Sequence, residues 1–186
     1  MKNNYKFPLM KNNIIEDDIN RVINYLQKNK KKGVKLTQGK YVEKFEREWS
    51  KWLGVKYSIY VNSGSSANFI TIAGIKNIIK KKRNEIIIPP LTWPSDVMAV
   101  INNNFKPKFV DINLKNLCMD TNKIIKACNK KTAAIFITHA QGFNGLDENL
   151  IKYLKKNKII LIEDVCESHG ANFKFKKLGN YGFASN

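Results

Sequence analysis

Three segments place groups with chemical capacity where an apolar run ends. Residues 159–171 read I-I-L-I-E-D-V-C-E-S-H-G-A, so four apolar residues lead into Glu163 and Asp164, and Glu167 follows three positions later. A carboxylate at the end of a buried strand needs a cationic partner to offset its desolvation. That partner is either a lysine of the chain or a cation on a ligand. A protonated pyridine nitrogen would satisfy Asp164 and be kept protonated by it. An ion pair or a helix cap accounts for the same letters. Residues 61–68, V-N-S-G-S-S-A-N, take a strand through Gly64 into a helix opening with Ser65 and Ser66. Free backbone N–H groups and the positive end of the helix dipole form a phosphate cradle there, and Gly64 lets the backbone approach closely. The alternative is an ordinary serine N-cap after a glycine turn. In residues 86–96, I-I-I-P-P-L-T-W-P-S-D, Trp93 stands just past a strand between Pro90 and Pro94. An aromatic face held rigidly can stack on a planar heterocycle, although a core tryptophan under a loop reads the same way.

Together these are the three contacts that pyridoxal phosphate needs. They occur in the order phosphate, ring face, ring nitrogen, each at a strand end. The serine segment is neither the G-x-G-x-x-G dinucleotide fingerprint nor a G-K-[ST] nucleotide loop.

The elements that must position these groups alternate along the chain. Apolar residues at 15, 19, 22, 23 and 26, and again at 42, 45, 49, 52 and 53, mark two amphipathic helices separated by a loop with Gly33 and Gly39. Strands are predicted at 57–61, 85–89, 108–112, 133–138 and 159–164, with helices at about 65–80, 94–103, 121–128 and 147–157. Several strands are nearly continuous Ile, Val and Phe, as in a parallel sheet buried on both faces. Alternating strand and helix predicts an α/β layered domain with right-handed crossovers. In such a sheet ligands bind beyond the carboxyl ends of the strands. Residues 172–183 read as a short extended pair with a turn.

The bulk properties bound the class. A chain of 186 residues with 43% hydrophobic content suits one globular domain. No apolar stretch is long enough for a membrane helix, and the start lacks the pattern of a secretory signal, so the cytoplasm is the expected compartment. Cys118, Cys128 and Cys166 form no C-x-x-C pair, which points away from a disulfide framework or a zinc site. The net charge of +18 raises nucleic-acid binding as a rival function. Only Arg21, Arg47 and Arg83 are arginines, however, and the lysine clusters fall between periodic segments. A solvated surface of biased composition is the preferred account, and it also suits anionic substrates. His139 and His169 read as core or capping groups, with no metal role.

The ordered set of motifs resembles the DegT/StrS-type sugar aminotransferase family, fold type I of the pyridoxal-phosphate enzymes. The resemblance runs over essentially the whole chain: L-T-Q-G-K-Y-V-E-K-F-E, N-S-G-S-S-A-N, I-I-I-P-P-L-T-W, F-V-D-I-N, E-D-V-C-E-S-H-G-A and K-K-L-G-N-Y-G, in that order. It implies a three-layer α/β/α domain with a mostly parallel sheet, the large domain of that fold in truncated form. Residues 1–186 would supply the N-terminal helical segment and most of that domain, without the small C-terminal domain. It also implies that Ser65 and Ser66, with Gly64, bind the cofactor phosphate, that Trp93 stacks on the ring and that Asp164 holds the ring nitrogen. Glu167 falls where many members have Gln near the cofactor's phenolic oxygen.

Family members carry their Schiff-base residue shortly beyond the segment at which this chain ends. It is Lys in the aminotransferases and His in a branch resembling GDP-4-keto-6-deoxymannose 3-dehydratase. No lysine of this chain matches that position, so a fragment or truncated product is expected. The C-E-S of 166–168 is similar to the dehydratase branch, and the H-G-A of 169–171 is common among the aminotransferases. The expected parent is therefore a pyridoxal 5'-phosphate-dependent aminotransferase that moves an amine, typically from glutamate, to a nucleotide-linked keto-sugar for polysaccharide synthesis. A homodimer is implied, with the 35–45 segment reaching the partner's site. The near alternative is the 3-dehydratase; the distant one is a non-catalytic basic domain that binds nucleic acid or a protein partner.

Overall fold

The computed structural model describes residues 12–79 and 82–186, which leaves Lys80 and Lys81 of the basic run outside the described residues. The chain divides into two compact units, Met1–Glu43 and Lys44–Asn186. In the first, α1 (Glu16–Asn29) carries Glu16, Asp17 and Asp18 in its first turn and Lys28 in its last, matching the helix dipole. The Asp18 carboxylate accepts from the Ile15 N–H at 3.2 Å and so caps the start. Ile15, Ile19, Val22, Ile23 and Leu26 form the expected apolar stripe, and all are exposed. Tyr25 donates its hydroxyl to the Lys35 carbonyl at 2.9 Å, and its ring meets Tyr41 edge to face.

Helix α2 (Lys40–Leu53) leads into the second unit. There α3 (Gly64–Lys76), β1 (Glu85–Ile88), α4 (Pro94–Asn102), β2 (Lys106–Phe109), α5 (Thr121–Ala127), β3 (Thr132–Thr138), α6 (Glu148–Asn157) and β4 (Ile160–Asp164) follow one another. A short antiparallel pair, β5 (Asn172–Phe173) and β6 (Lys176–Lys177), precedes β7 (Ala184–Ser185). The main sheet has the order β2-β1-β3-β4-β7, every pair parallel.

Strand alternation sorts the core into two layers of contact. Ile86, Ile88, Ala134, Phe136 and Ile162 pack against Ile72 and Ile75 of α3 and Ala99 and Val100 of α4. Their neighbours Ile87, Ile135, Ile137, Leu161 and Val165 pack against Ile124 of α5 and Leu150 and Leu154 of α6. Helices thus cover both faces, giving the three-layer α/β/α architecture. Every residue of β3 is buried, as its central place in the sheet requires.

Three expectations need correction. Residues 57–61 do not form a strand: Tyr57, Ile59 and Tyr60 are 75%, 78% and 60% exposed, and no ladder partner lies beside them among the described residues. Their pattern suits a strand, but a strand also needs a neighbour. β2 starts two residues early and ends at Phe109, since Val110 makes the last bond to the Ile88 carbonyl and Ile112 pairs only singly with Met119. β7 was not expected, and its cause lies in Glu163.

Candidate active site

The loops after β1, β3 and β4 meet at the carboxyl end of the sheet, as α/β layering requires. After β1, Trp93 occupies the N-cap position of α4 and Pro94 its first turn. Trp93 is 58% exposed, so it is not a core residue. It lines a cleft of about 630 Å3 together with Leu91, Leu117, Thr138, Gln141 and Glu167. Glu167 Oε2 accepts from the Gln141 backbone N–H at 2.7 Å and from Gln141 Nε2 at 3.3 Å. Those bonds hold Gln141 in a left-handed conformation, φ 55°, and fix the loop after β3 as a wall of the cleft. Oε1 has no hydrogen-bond partner among the described residues.

Asp164 is paired in register with Thr138, which lines the same cleft. It is 2% exposed, and its Oδ1 accepts from the Cys166 N–H at 3.0 Å. Among the described residues no Lys, Arg or His forms an ion pair with it. A buried carboxylate without a cation is what a ligand cation would complete. The lysine partner that the sequence left open is not found among the described residues.

A second acid lies beside it. Asp96, the third residue of α4, is 1% exposed and reaches the hydroxyl of Thr138, the register partner of Asp164. Asn68 Nδ2 donates to Asp96 Oδ1 at 2.5 Å, and Thr92 Oγ1 donates to Oδ2. Thr138 Oγ1 lies 2.6 Å from Thr92 Oγ1 and 3.5 Å from Asp96 Oδ2. Burial above all, and then the Asp164 charge, push the Asp96 carboxyl up to about 7, against the Thr92 and Ser95 hydroxyls that favour its ionised form. Sequence reading passed over Asp96, because an acid in a first helical turn is ordinary.

At the start of α3 the N-cap is Ser63, so the helix begins at Gly64, one residue before the predicted opening at Ser65. Its Oγ accepts from the Ser66 N–H at 3.1 Å and lies 3.2 Å from Ser66 Oγ. The Ser66 amide is thus occupied, whereas the N–H groups of Gly64 and Ser65 have no partner among the described residues. Gly64 and Ser65 are exposed. A Cβ built on Gly64 would lie 3.8 Å from Cys166 Sγ, which sets the start of α3 beside the turn after β4. The structure therefore brings Trp93 and Glu167 onto one cleft, with Asp164 beneath its Thr138 wall and the serine turn beyond Cys166.

Glu163 plays a different part. It is fully buried and faces away from Asp164, as adjacent strand residues must. Its Oε2 accepts from Gly179 N at 3.0 Å and His139 Nε2 at 3.2 Å, and its Oε1 from Tyr181 N at 2.8 Å and Gly182 N at 2.6 Å. The Gly145 N–H donates to His139 Nδ1 at 3.1 Å, so the imidazole carries its proton on Nε2. Burial works to raise the Glu163 carboxyl, but bonds from His139, Gly179 and Gly182 outweigh it and leave the group below its ordinary range. Wrapped on this carboxylate, the 179–182 turn delivers β7 beside β4. Gly179 takes φ 90°, and a Cβ on Gly182 would come within 2.7 Å of the Leu161 carbonyl, so both glycines are required. His139 is accordingly a structural core group. His169 packs edge-on against Trp49 at 5.3 Å. Cys166 is an exposed residue, but partial desolvation of its thiol and then the Asp164 charge push it up to about 12, which makes it a poor nucleophile. Among the described residues no His, Cys, Asp and Glu cluster suits a metal.

Comparison with known proteins identifies relatives of the whole chain. The chain is 35% identical over 150 residues to the GDP-4-keto-6-deoxy-D-mannose 3-dehydratase of Escherichia coli O55:H7, covering 79% of this chain and 39% of the relative. It is 27% identical over 146 residues to the GDP-perosamine synthase of Escherichia coli O157:H7, covering 78% of this chain and 39% of that protein. The crystal structure of GDP-4-keto-6-deoxymannose-3-dehydratase with a trapped PLP-glutamate geminal diamine superposes with a TM-score of 0.84 at 32% identity, over 95% of this chain and 45% of that one. The chain thus spans less than half the length of these relatives. The model of the DegT/DnrJ/EryC1/StrS aminotransferase family matches residues 13–186, and the chain belongs to that family.

Proposed function

We propose that the protein binds pyridoxal 5'-phosphate at this cleft and, as a whole enzyme, dehydrates a nucleotide-linked 4-keto-6-deoxy sugar at C3, with glutamate as amino donor. The observation that carries the cofactor assignment is Asp164, a buried carboxylate with no cation paired to it among the described residues, in register with the Thr138 that lines the cleft of the exposed Trp93. Asp164 holds the ring nitrogen protonated, Trp93 supports the ring face, and the Gly64 and Ser65 amides with the Ser65 and Ser66 hydroxyls take the phosphate. When bound, the cofactor supplies an electron sink for negative charge that develops beside the amine.

Glu167 decides between the two activities within the family. Elimination of a hydroxyl requires a proton to be carried to it, and a carboxylate can carry one where an amide cannot. Gln141 holds Oε2, and the other oxygen is left for that task. Higher identity to the 3-dehydratase than to the perosamine synthase at similar coverage supports the same choice. Sugar amination is the second reading, supported by H-G-A at 169–171. Residues 1–186 form the N-terminal segment and most of the large domain, and the rest of the protein supplies the Schiff-base residue. A cytoplasmic homodimer in polysaccharide synthesis completes the proposal, and the net charge of +18 suits an anionic nucleotide sugar.

The test is incubation of the full-length protein with pyridoxal 5'-phosphate, dialysis, and a visible spectrum, followed by GDP-4-keto-6-deoxymannose with glutamate and mass analysis of the sugar. A product that has lost its C3 hydroxyl supports the dehydratase. An amino sugar transfers the assignment to the aminotransferase, and no bound chromophore refutes both.

A further inference from the structure

We propose that Asp96 is a positioning residue that sets the three cofactor contacts of the cleft against one another, through side chains that each stand beside one of them. The inference rests on the cofactor reading above and adds to it a buried residue that acts only through its neighbours.

The hydrogen bonds define the arrangement. Asn68 Nδ2 donates to Asp96 Oδ1 at 2.5 Å, and Asn68 stands about one helical turn after Gly64, on the helix that begins at the serine turn. Thr92 Oγ1 donates to Asp96 Oδ2, and Thr92 directly precedes Trp93. Thr138 Oγ1 lies 2.6 Å from Thr92 Oγ1, and Thr138 is the register partner of Asp164. A hydroxyl carries one proton. Because Thr92 gives its own to Asp96, Thr138 must donate to Thr92. One carboxylate is thereby linked to the phosphate turn, the ring face and the ring-nitrogen acid.

The far end of this run is anchored too. Asn186 donates to Asn68 Oδ1, so Asn68 must turn its N–H groups toward Asp96. The backbone of Asn186 is itself held on β4, where it accepts from the Val165 N–H at 2.9 Å and donates to the Glu163 carbonyl at 3.1 Å. The run Asn186, Asn68, Asp96, Thr92, Thr138 therefore leaves β4, crosses α3 and α4, and returns to β4's neighbour β3. Packing of α4 does not ask for an acid, since Ala99 and Val100 supply its buried apolar contacts. A buried carboxylate is costly unless its hydrogen bonds offset the loss of water, and here those bonds fix the elements that carry the site. A binding constellation needs its members held to within about 0.5 Å by such supporting groups.

The test uses the full-length protein at alkaline pH, where Asp96 is ionised, with pyridoxal 5'-phosphate alone. Two quantities are read: the dissociation constant, and the visible circular dichroism per bound cofactor at saturation. The second reports how firmly the ring is oriented, and a variant that merely loses fold stability does not move it. Asp96→Ala should weaken binding about tenfold, the size of effect that loss of a supporting residue has, and should reduce the dichroism per bound cofactor. Thr92→Val keeps the shape of the cleft and cuts the run in its middle, so it should act in the same direction even where Asp96→Ala fails to fold. Thr92→Ser retains the hydroxyl and should keep both quantities near the wild type. Unchanged dichroism in Asp96→Ala and Thr92→Val overturns the proposal and leaves the cofactor reading in place. Equal losses in Thr92→Ser and Thr92→Val do the same, since the methyl group and not the hydroxyl would then matter. A wild type that takes up no pyridoxal 5'-phosphate overturns the cofactor reading and this role with it.

Discussion

Replacing Glu163 with Gln changes one atom of a fully buried side chain, yet it removes an acceptor shared by three backbone N–H groups and an imidazole. If the amide nitrogen takes the place of Oε1, it opposes the N–H groups of Tyr181 and Gly182. In the place of Oε2 it opposes Gly179 and His139. His139 cannot escape by changing tautomer without giving up the Gly145 N–H. Either way two buried donors lose their acceptor, at about 1–3 kcal/mol each, so about 2–6 kcal/mol of stability should go. Urea unfolding of the wild type and of Glu163→Gln, followed by tryptophan fluorescence, measures this at neutral pH. The sign of the pH dependence is fixed as well. Glu163 is held below its ordinary value of 4.5, so its contribution is complete above that pH and lost as pH falls through the folded-state value. The gap between the two proteins should therefore narrow in acid. A variant within about 0.5 kcal/mol of the wild type at neutral pH, with a gap that acid does not close, would refute the reasoning, since that is the scatter of an ordinary surface change.

Gly182→Ala should destabilise the protein, because the new Cβ meets the Leu161 carbonyl, a backbone atom that cannot swing aside; thermal unfolding reads the loss. Trp93→Ala should weaken pyridoxal 5'-phosphate by roughly 2- to 12-fold, the worth of one aromatic stack, while unfolding is little changed because the side chain is already exposed. Asp164→Ala should lower the same affinity by about tenfold or more, and an unchanged affinity would remove Asp164 as the ring-nitrogen partner.

What the sequence discloses and what it hides divide along physical lines. Strands β1, β3 and β4 were legible because burial on both faces demands unbroken Ile, Val and Phe. Helices α4 and α6 were legible from their apolar spacing and their starts after Trp93 and Asp147. Residues 57–61 misled, because alternation reports the faces of a strand and says nothing of its neighbours. β7 was invisible, since two small residues carry no propensity and are held in place by a carboxylate about twenty positions away. Trp93 and Asp164 stood out because an aromatic and an acid at strand ends are unusual, whereas Asp96 did not, because burial alone distinguishes it. The division between Glu163 and Asp164 was available from strand geometry, because neighbours on one strand point to opposite faces.

The back-to-back acids also make β4 self-checking. A slip of this strand by one residue would exchange every side chain between the two faces. It would offer the shorter Asp164 to the glycine turn that needs the reach of Glu163, and thrust Glu163 toward Asp96. Apolar neighbours such as Leu161 and Ile162 would tolerate that exchange far better. It is therefore the two charged residues, and not the greasy stretch before them, that tell the folding chain where β4 must stop.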